Sequence, residues 1–493
     1  MIPQPFAPAA LSISATIIVL ACAGSEKLSG QVQPKPNVLF IVMDDLRTEL
    51  GCYGSVMVKS PNIDRLANQG VMFNRAYCQQ AICMASRASL FTGLMPTKNH
   101  IYTSLSVDSL MPKVLTLNKY FSQNDYNVAG IGKLYHYKED HIKQFGETWL
   151  EDEPGSRETG RGYLTPEAIS QIENEKGPAW EIADVMDNEY RDGFYAEWAV
   201  QKLGELKQTN QPFFLGIGFR KPHLPFCAPK KYWDLYPHDS IILAENPFYP
   251  ENGSVHGWNN SVELRTYTNI PDGNEPISDE TSRMLIHGYY ACVSYVDAQV
   301  GIVLNALDSL GLAQNTIVVL LGDNGWKLGE HGMWGKHTNF ELDTNVPLII
   351  RAPGMANGKQ SASFVQVLDI YPTLCSLCEL NIPENIDGIN LIPVLQNPSK
   401  AVRNEAFSLW PSNETIDTDS IHVILGFSIR TNDFRYIEWT HLASGKVVSR
   451  ELYDHRNDPG ENKNVSKLQQ YRKTLRQLST RLEFILSSQP KNQ

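Results

Sequence analysis

Continuous apolar runs, rather than alternating ones, mark the strongest strand signals in this chain. The runs Val38–Met43, Phe213–Phe219 and Thr316–Leu321 contain almost no polar residues. Strands of this kind are buried on both faces, as in a parallel sheet that is covered by helices. Two shorter runs, Val128–Gly132 and Pro347–Arg351, predict further strands of the same kind.

Helical spacing of apolar residues separates these runs. It predicts a short amphipathic helix over Asn62–Gln69 and a long helix over Ile286–Leu310. Buried strands that alternate with helices indicate a layered α/β architecture. Two polar stretches, about residues 150–190 and 245–285, predict long loops over the sheet, where substrate selection usually occurs.

The pattern changes after about residue 400. Phe427–Thr431 and Phe434–Trp439 alternate apolar and polar residues on either side of Asn432-Asp433, which is a hairpin turn signal. Lys467–Leu486 has the spacing of a terminal amphipathic helix. We therefore predict a small C-terminal α+β domain with an antiparallel sheet. The predicted domains are residues 37–400 and 401–493.

The N-terminus predicts export. Residues 9–23 form an apolar run that is shorter than the about 20 residues of a membrane span. Such a run is typical of a signal peptide, here residues 1–24, before a polar tether over residues 25–36. The segment VLAC, which ends at Cys22, resembles a lipoprotein box, so a lipid anchor on Cys22 is the alternative to a plain signal peptide. In a bacterium the protein would be periplasmic or an outer-membrane lipoprotein.

Composition and charge exclude several classes of protein. The chain has 493 residues, of which 42% are hydrophobic and 20% charged, a globular balance that excludes a disordered chain. Its net charge is −11 and it has no basic run, so we expect no nucleic-acid partner. Eight cysteines in this length do not form a disulfide scaffold.

Acidic residues follow two of the buried runs. Asp44 and Asp45 directly follow the run Val38–Met43. Asp323 and Asn324 follow the run Thr316–Leu321 after a single glycine, Gly322. In open α/β sheets ligands bind at the carboxyl ends of strands, so these side chains should converge. Neighbouring carboxylates raise one another's pKa, and a cation relieves that repulsion. All-oxygen ligands favour Ca²⁺ or Mg²⁺ over Zn²⁺.

A second cluster is the segment CMASR, which starts at Cys83 and ends at Arg87. A helix that begins near Cys83 places Arg87 one turn later on the same face. Free N–H groups at the start of that helix would suit an anion. From these residues alone, inert packing of a buried Cys83 is the alternative.

These segments resemble the type I sulfatase signature, C-x-P-S-R followed after four residues by T-G. The resemblance extends over nearly the whole chain from about residue 36, since Gly132-Lys133, Lys221-Pro222-His223 and Lys336 follow in the family's order. Within the family the sequence is most similar to the iduronate-2-sulfatases, for example in the segment DDLR that starts at Asp44. The resemblance implies an alkaline-phosphatase-like sulfatase fold, with a large mixed sheet flanked by helices, and the hydrolysis of sulfate monoesters.

The resemblance also implies a metal site and a modified nucleophile. Asp44, Asp45, Asp323 and Asn324, together with the modified residue 83, would hold one Ca²⁺. Cys83 would be oxidised to Cα-formylglycine (3-oxoalanine), the hydrate of which attacks sulfur.

Further residues receive roles in charge neutralisation and proton transfer. Arg87 would stabilise the hydrated aldehyde, and Lys133 and Lys336 would neutralise sulfate oxygens. His223 or Lys336 would protonate the leaving sugar oxygen, and His136 would accept a proton when sulfate is expelled. The residues expected to line the sugar site are Trp326, Trp334 and His337.

Two positions depart from the family pattern. Ala85 stands where the signature usually has Pro, which the oxygen-dependent formylglycine-generating enzyme generally requires, whereas the radical-type maturase of anaerobic bacteria accepts Ala. Asn324 stands where the iduronate-2-sulfatases have His, although many arylsulfatases have Asn there.

The substrate implied by the resemblance is a 2-O-sulfated uronate of a glycosaminoglycan or similar acidic polysaccharide, with His337 and Arg220 as candidate partners of the carboxylate. The alternatives are another sulfated glycan such as ulvan or a galactan, a phosphoester substrate within the same superfamily, and a non-catalytic glycan-binding relic in which Cys83 is never modified. Cys375 and Cys378 are interpreted as core residues because no second cysteine pair accompanies them.

Overall fold

The computed structural model describes residues 35–99, 106–136, 149–150, 162–173, 176–412 and 423–487, together with residues 1 and 4. The predicted signal peptide, the lipid attachment at Cys22 and almost all of the tether lie outside the described residues. The helices and strands of the described residues belong to the second of two units, Lys35–Gln493.

The described strands and helices are as follows in chain order. The strands are β1 (Asn37–Asp44), β2 (Val71–Tyr77), β3 (Asn127–Gly132), β4 (Trp149–Leu150), β5 (Trp180–Ala183), β6 (Phe213–Pro222), β7 (Phe226–Pro229), β8 (Thr316–Gly322), β9 (Lys327–Leu328), β10 (Trp334–Gly335), β11 (Asn345–Val346), β12 (Leu348–Arg351), β13 (Lys359–Gln366), β14 (Glu405–Pro411), β15 (Ile424–Thr431), β16 (Phe434–His441) and β17 (Lys446–Asp454). The helices are α1 (Pro61–Ala67), α2 (Cys83–Thr92), α3 (Pro96–Asn99), α4 (Val107–Leu110), α5 (Leu117–Gln123), α6 (Pro166–Ile169), α7 (Arg191–Lys207), α8 (Lys230–Trp233), α9 (Asp279–Ser309), α10 (Glu341–Thr344), α11 (Ile370–Leu377), α12 (Ile392–Gln396) and α13 (Arg472–Ser487).

A nine-stranded mixed sheet forms the centre of the fold. Its strand order is β11-β2-β12-β8-β1-β6-β3-β4, with β13 beside β2. Strand β1 is parallel to both of its neighbours, β6 and β8, and β3 and β4 continue the parallel part. Strand β12 is antiparallel to β8 and β2, which makes the sheet mixed. The predicted α/β fold class with a large mixed sheet is confirmed.

The continuous apolar character of β1 follows from burial on both faces. Alternate side chains of a strand point to opposite faces, so each face contributes to a different core. One face packs with α1, α7 and α9, and the other with α2, α5 and α11. The residues of the first face are Leu39, Ile41 and Met43, and those of the second are Val38, Phe40 and Val42.

The longest helix, α9, is a core helix. It begins at Asp279, seven residues before the predicted start at Ile286. The Ser278 side chain accepts a hydrogen bond from the Thr281 N–H and caps this end of the helix. By length and apolarity α9 could cross a membrane, but 78% of its most apolar window is buried inside the protein. Its apolar spacing therefore reflects packing against the sheet.

A four-stranded antiparallel sheet, β14-β15-β16-β17, follows the main sheet along the chain. The β15–β16 hairpin turns at Asn432-Asp433, as predicted. Helix α13 packs on this sheet through the buried Leu482, and it begins later than predicted because Gln469–Tyr471 forms a 3₁₀ turn. The domain boundary at residue 400 stays a prediction.

The two segments predicted as long loops differ in the structure. The prediction for 245–285 is wrong over its last residues, because α9 begins at Asp279, whereas residues 245–278 contain only the short turns Val255–Gly257 and Leu264–Thr266. The described part of residues 150–190 contains α6 and β5, and β5 pairs in parallel with β7. The first segment includes Glu263, whose carboxylate lies 3.1 Å from His223 Nε2 and 3.6 Å from Lys336 Nζ.

Candidate active site

Four polar residues meet where β1 and β8 end. Asp44 is the last residue of β1, and Asp323 and Asn324 follow β8 directly. Because Met43 pairs with Gly322, the next residues of the two strands come together. The Asp45 N–H donates to Asp323 Oδ1 at 3.0 Å, and Asn324 Nδ2 donates to Asp45 Oδ1 at 2.7 Å. The convergence that the sequence predicts is therefore observed, with all four side chains buried.

Helix α9 holds the turn after β1. Asp45 has a φ of 64°, a left-handed conformation in which short polar residues are the most common non-glycine residues. The Tyr289 hydroxyl of α9 donates to the Asp45 carbonyl at 2.8 Å and accepts from the Arg47 N–H at 3.0 Å. A core side chain thereby fixes the direction in which the chain leaves the strand.

This cluster has the donor set of a divalent-cation site. One ligand atom each from Asp44, Cys83 and Asp323 lie within 4.8 Å of one another. Asn324 Oδ1 is buried and accepts no hydrogen bond, which is rare for a buried polar atom. Oxygen ligands in this number fit a hard cation such as Ca²⁺ or Mg²⁺. The residues present thus fit the metal that the family resemblance implies.

Burial opposes charge on these carboxylates. It raises the pKa of Asp45 to about 7, although Lys336 and His223 act in the opposite direction. It also raises the pKa of Asp323. Asp44 behaves differently, because Lys133, His223 and other cations together outweigh its burial and hold its pKa well below the usual value. A bound cation would stabilise all three charged forms.

Helix α2 brings Cys83 and Arg87 to the same place. The helix begins at Cys83, as the sequence predicts, and Arg87 lies one turn later. Arg87 Nε donates to Asp323 Oδ2 at 2.8 Å and Nη2 donates to Asp44 Oδ1 at 3.2 Å. The guanidinium group therefore bridges the ends of β8 and β1, with a side chain that is 1% exposed.

Cys83 lies between two further predicted site residues. Its Sγ is 3.2 Å from His136 Nδ1 and 3.6 Å from Lys133 Nζ. Burial raises the pKa of the thiol above its ordinary value, although Lys133 and Lys336 counteract it. An unmodified thiol with a raised pKa is a weak nucleophile, because the thiolate is the reactive form.

Lys133 and His136 lie in the segment that directly follows β3. Lys133 Nζ donates to Asp44 Oδ2 at 2.5 Å. Burial and the nearby charge of Lys133 lower the pKa of His136 to about 4. His136 is therefore neutral at pH 7 and able to accept a proton.

Lys336 and His223 both lie beside the Asp45 carboxylate. Lys336 Nζ donates to both carboxylate oxygens of Asp45, at 2.6 and 2.7 Å. His223 Nε2 is 3.8 Å from Asp45 Oδ2 and 3.1 Å from Oε1 of Glu263. Glu263 was not predicted as a site residue. It belongs to no motif, and its only sequence signal is its place in the polar segment 245–285.

Of the three residues predicted to line a sugar site, Trp326 is beside the cluster. Its ring is 5.3 Å from Lys336 Nζ and 6.5 Å from the His223 ring. His337 stacks on Trp410 at 5.1 Å, and Trp334 is buried in the main core. Their contact with a sugar stays a prediction.

Arg220, the other candidate partner of a substrate carboxylate, is on β6. Its backbone N–H donates to Asp192 Oδ1 at 2.9 Å, and the contact of its side chain with a substrate stays a prediction. Cys375 and Cys378 are buried free cysteines in the core beside α11, in agreement with their interpretation as core residues.

Comparison with known families decides the class of protein. Residues 36–380 match the sulfatase family, and residues 329–488 match the family described as N-sulphoglucosamine sulphohydrolase, C-terminal. This chain belongs to the sulfatase family. It is a sulfuric ester hydrolase, and the sulfatase family generally uses formylglycine and a divalent metal.

Relatives of this sulfatase include enzymes with named substrates. Human iduronate 2-sulfatase is 31% identical over 91% of this chain and 94% of its own length. Delta 4,5-hexuronate-2-O-sulfatase of Bacteroides thetaiotaomicron is 30% identical over 91% of this chain and 88% of its own. A solved structure of a protein in complex with its substrate D-glucosamine-2-N,6-O-disulfate matches 92% of this chain and 98% of its own with a TM-score of 0.72, at 23% identity. That last likeness concerns the fold.

Proposed function

We propose that this sulfatase removes the 2-O-sulfate of a uronate residue at the non-reducing end of a glycosaminoglycan or similar acidic polysaccharide. The similarity to the iduronate and hexuronate 2-sulfatases over most of the chain supports this substrate. The observation that carries the proposal is the group of four basic side chains around the acidic cluster at the ends of β1 and β8. These are Arg87, Lys133, His223 and Lys336.

We propose Ca²⁺ as the metal of this site. Asp44, Asp45, Asp323 and Asn324 would hold it, and residue 83 would add an oxygen after its oxidation. When bound, the cation would neutralise sulfate charge and lower the pKa of a hydroxyl group beside it.

Cys83 would act only after conversion to formylglycine. Its thiol is buried with a raised pKa, so as a cysteine it has little thiolate to react with sulfur. Conversion requires either the oxygen-dependent formylglycine-generating enzyme or the radical-type maturase, and Ala85 favours the latter. Arg87, one turn along α2, would stabilise the hydrated aldehyde.

The remaining residues would handle charge and protons. Lys133 and Lys336 would neutralise sulfate oxygens, since their ammonium groups already lie in the cluster, against Asp44 and Asp45 respectively. His223 or Lys336 would protonate the leaving sugar oxygen. His136, neutral at pH 7, would accept a proton when sulfate is expelled.

The location of this chemistry is proposed to be outside the cytoplasm. The apolar run over residues 9–23 supports a signal peptide, and Cys22 supports attachment to a lipid. Acidic polysaccharides would then meet the enzyme in the periplasm or at the outer membrane.

The substrate proposal is tested by sulfate release from defined sugars. An unsaturated 2-O-sulfated uronate disaccharide should be desulfated, and the same sulfate inside a long chain should not. Activity on neutral sulfated galactans without activity on 2-O-sulfated uronates would contradict the substrate but not the sulfatase class. Faster turnover of phosphate monoesters, or no turnover of any ester by protein with modified Cys83, would favour the phosphoester or relic alternatives.

A further inference from the structure

Glu263 adds a fourth carboxylate to a site that already contains Asp44, Asp45 and Asp323, and it lies beside two basic side chains. Its Oε1 is 3.1 Å from His223 Nε2 and its Oε2 is 3.6 Å from Lys336 Nζ. The side chain is only 19% exposed. One carboxylate therefore contacts both residues proposed as proton donors to the leaving sugar oxygen.

The contacts of His223 fix the orientation of its ring. Nδ1 lies 2.6 Å from the Leu224 carbonyl oxygen, and Nε2 lies 3.1 Å from Oε1 of Glu263. The imidazole is therefore held from both of its nitrogen atoms, by the backbone on one side and by Glu263 on the other.

The segment that carries Glu263 is anchored to the Lys336 segment. Asn259 Nδ2 donates to the Lys336 carbonyl at 3.2 Å, and Ser261 Oγ accepts from the Trp334 N–H at 2.8 Å. One hydrogen bond involves Lys336 itself and the other involves Trp334, two residues earlier. They keep Glu263 at a defined distance from the Lys336 ammonium group.

The charge of Glu263 is maintained by its neighbours. Burial alone would raise the pKa of this carboxyl group, but Lys336 and His223 outweigh it and hold the pKa well below the usual value. A carboxylate beside two basic side chains weakens the site's attraction for a sulfate. Its presence in the site therefore has to be explained by something other than substrate attraction.

We propose that Glu263 is a positioning residue that orients His223 and Lys336 as proton donors to the leaving oxygen. The proposal rests on the proposed function, in particular on the role of these two residues. As the attacking hydroxyl oxygen forms its bond to sulfur, the bond between sulfur and the sugar oxygen breaks and its electron pair stays on the sugar oxygen. A proton moves to that oxygen from His223 Nε2 or Lys336 Nζ, and the proton that the attacking hydroxyl group releases restores the donor through solvent.

The test compares Glu263→Gln with wild type on two esters. One is 4-nitrophenyl sulfate, whose leaving group is stable as an anion and needs no proton donor. The other is the sugar sulfate that wild type hydrolyses fastest. Because this sugar is chosen from the activity of wild type, an error in the proposed substrate shows in that choice and not in the comparison with Glu263→Gln. We expect kcat on the sugar sulfate to fall on the order of 10²-fold, while kcat on the nitrophenyl ester changes little.

Two variants control for a structural effect. Glu263→Asp keeps the charge and should recover part of the lost activity on the sugar sulfate. Glu275→Gln removes an exposed carboxylate from the same segment and should leave both activities unchanged. An equal loss on both esters, or no loss on the sugar sulfate, would overturn the positioning role.

Discussion

Cys83 lies within the acidic cluster, but the raised pKa of its thiol makes the unmodified residue a weak nucleophile. It begins α2, touches His136 and Lys133, and has a raised pKa because it is buried. The residue is therefore well placed but unreactive until it is modified. Two predictions at the scale of single residues follow from its position.

The first prediction concerns the nucleophile itself. Cys83→Ala should lose on the order of 10⁴-fold or more in kcat on an activated aryl sulfate, because a covalent catalyst without its nucleophile retains only binding and electrostatic effects. Thermal unfolding should change little, and mass spectrometry should find formylglycine at residue 83 only in wild type. Unchanged turnover in Cys83→Ala would contradict the formylglycine mechanism.

The second prediction concerns maturation. Ala85 is the third residue of α2, in the first turn, where a proline does not break a helix. Ala85→Pro should therefore raise the fraction of residue 83 converted to formylglycine in an aerobic host that contains only the oxygen-dependent enzyme. The measurement is the mass of the peptide that contains residue 83. An equal converted fraction in both proteins would show that Ala85 does not limit maturation.

The third prediction concerns His337 and pH. Burial lowers the pKa of this side chain from 6.5 to about 4. The unfolded chain therefore binds the proton at higher pH than the folded protein, so stability from His337 is complete above pH 6.5 and is lost as the pH falls towards 4. The lowered pKa corresponds to about 3 kcal/mol.

His337→Asn tests this effect, since Asn tolerates the φ of 78° at this position. The free energy of unfolding of wild type should exceed that of the variant at pH 7. The difference should shrink by about 3 kcal/mol towards pH 4. Parallel stability curves over this range would show that His337 does not couple to folding.

At the scale of elements, a buried ion network joins the C-terminal sheet to α10. Arg435 on β16 donates to Glu461 Oε1 at 2.6 Å and to Glu341 Oε2 at 2.5 Å. Arg435 and Glu461 are each 1% exposed at the side chain. Removing one partner of a buried network leaves the other charges uncompensated, which costs about 3–5 kcal/mol.

The fourth prediction follows from this network. Arg435→Leu should lower the free energy of unfolding in urea by about 3–5 kcal/mol. Arg450→Leu on the adjacent strand β17 is the matched control, because Arg450 is 43% exposed and its pair with Glu438 should contribute less than about 1 kcal/mol. Similar losses in both variants would mean that the network does not stabilise the junction.

At the scale of the whole molecule, metal binding should couple to stability. The acidic cluster joins β1, β8 and α2, so a cation that binds there stabilises the folded protein only. The fifth prediction is that Ca²⁺ at about 100 times its Kd increases the free energy of unfolding by about 2.7 kcal/mol. Calorimetry with and without a chelator measures the effect, and Asp323→Asn should remove most of it. Identical melting temperatures in both conditions would contradict the metal site.

Most elements and the order of the site motifs could be predicted because both depend on local sequence. The apolar run of β1 reflects burial on both faces, and the segment that starts at Cys83 carries the start of a helix and a family signature together. Asp44 at the end of β1 and Asp323 directly after β8 could be placed at the same edge of the sheet, because parallel neighbouring strands end at the same edge.

Other features depend on contacts between distant segments, and only the tertiary structure decided them. The antiparallel direction of β12 could not be predicted, since a buried apolar run has the same composition in either direction. Glu263 joins the site through His223 and Lys336, and Tyr289 joins it through the Asp45 carbonyl. By itself the sequence determined the elements, the family and the metal and nucleophile candidates. Only the folded chain brings the Glu263 carboxylate and the Tyr289 hydroxyl to the site, because no local sequence pattern encodes a contact between distant segments.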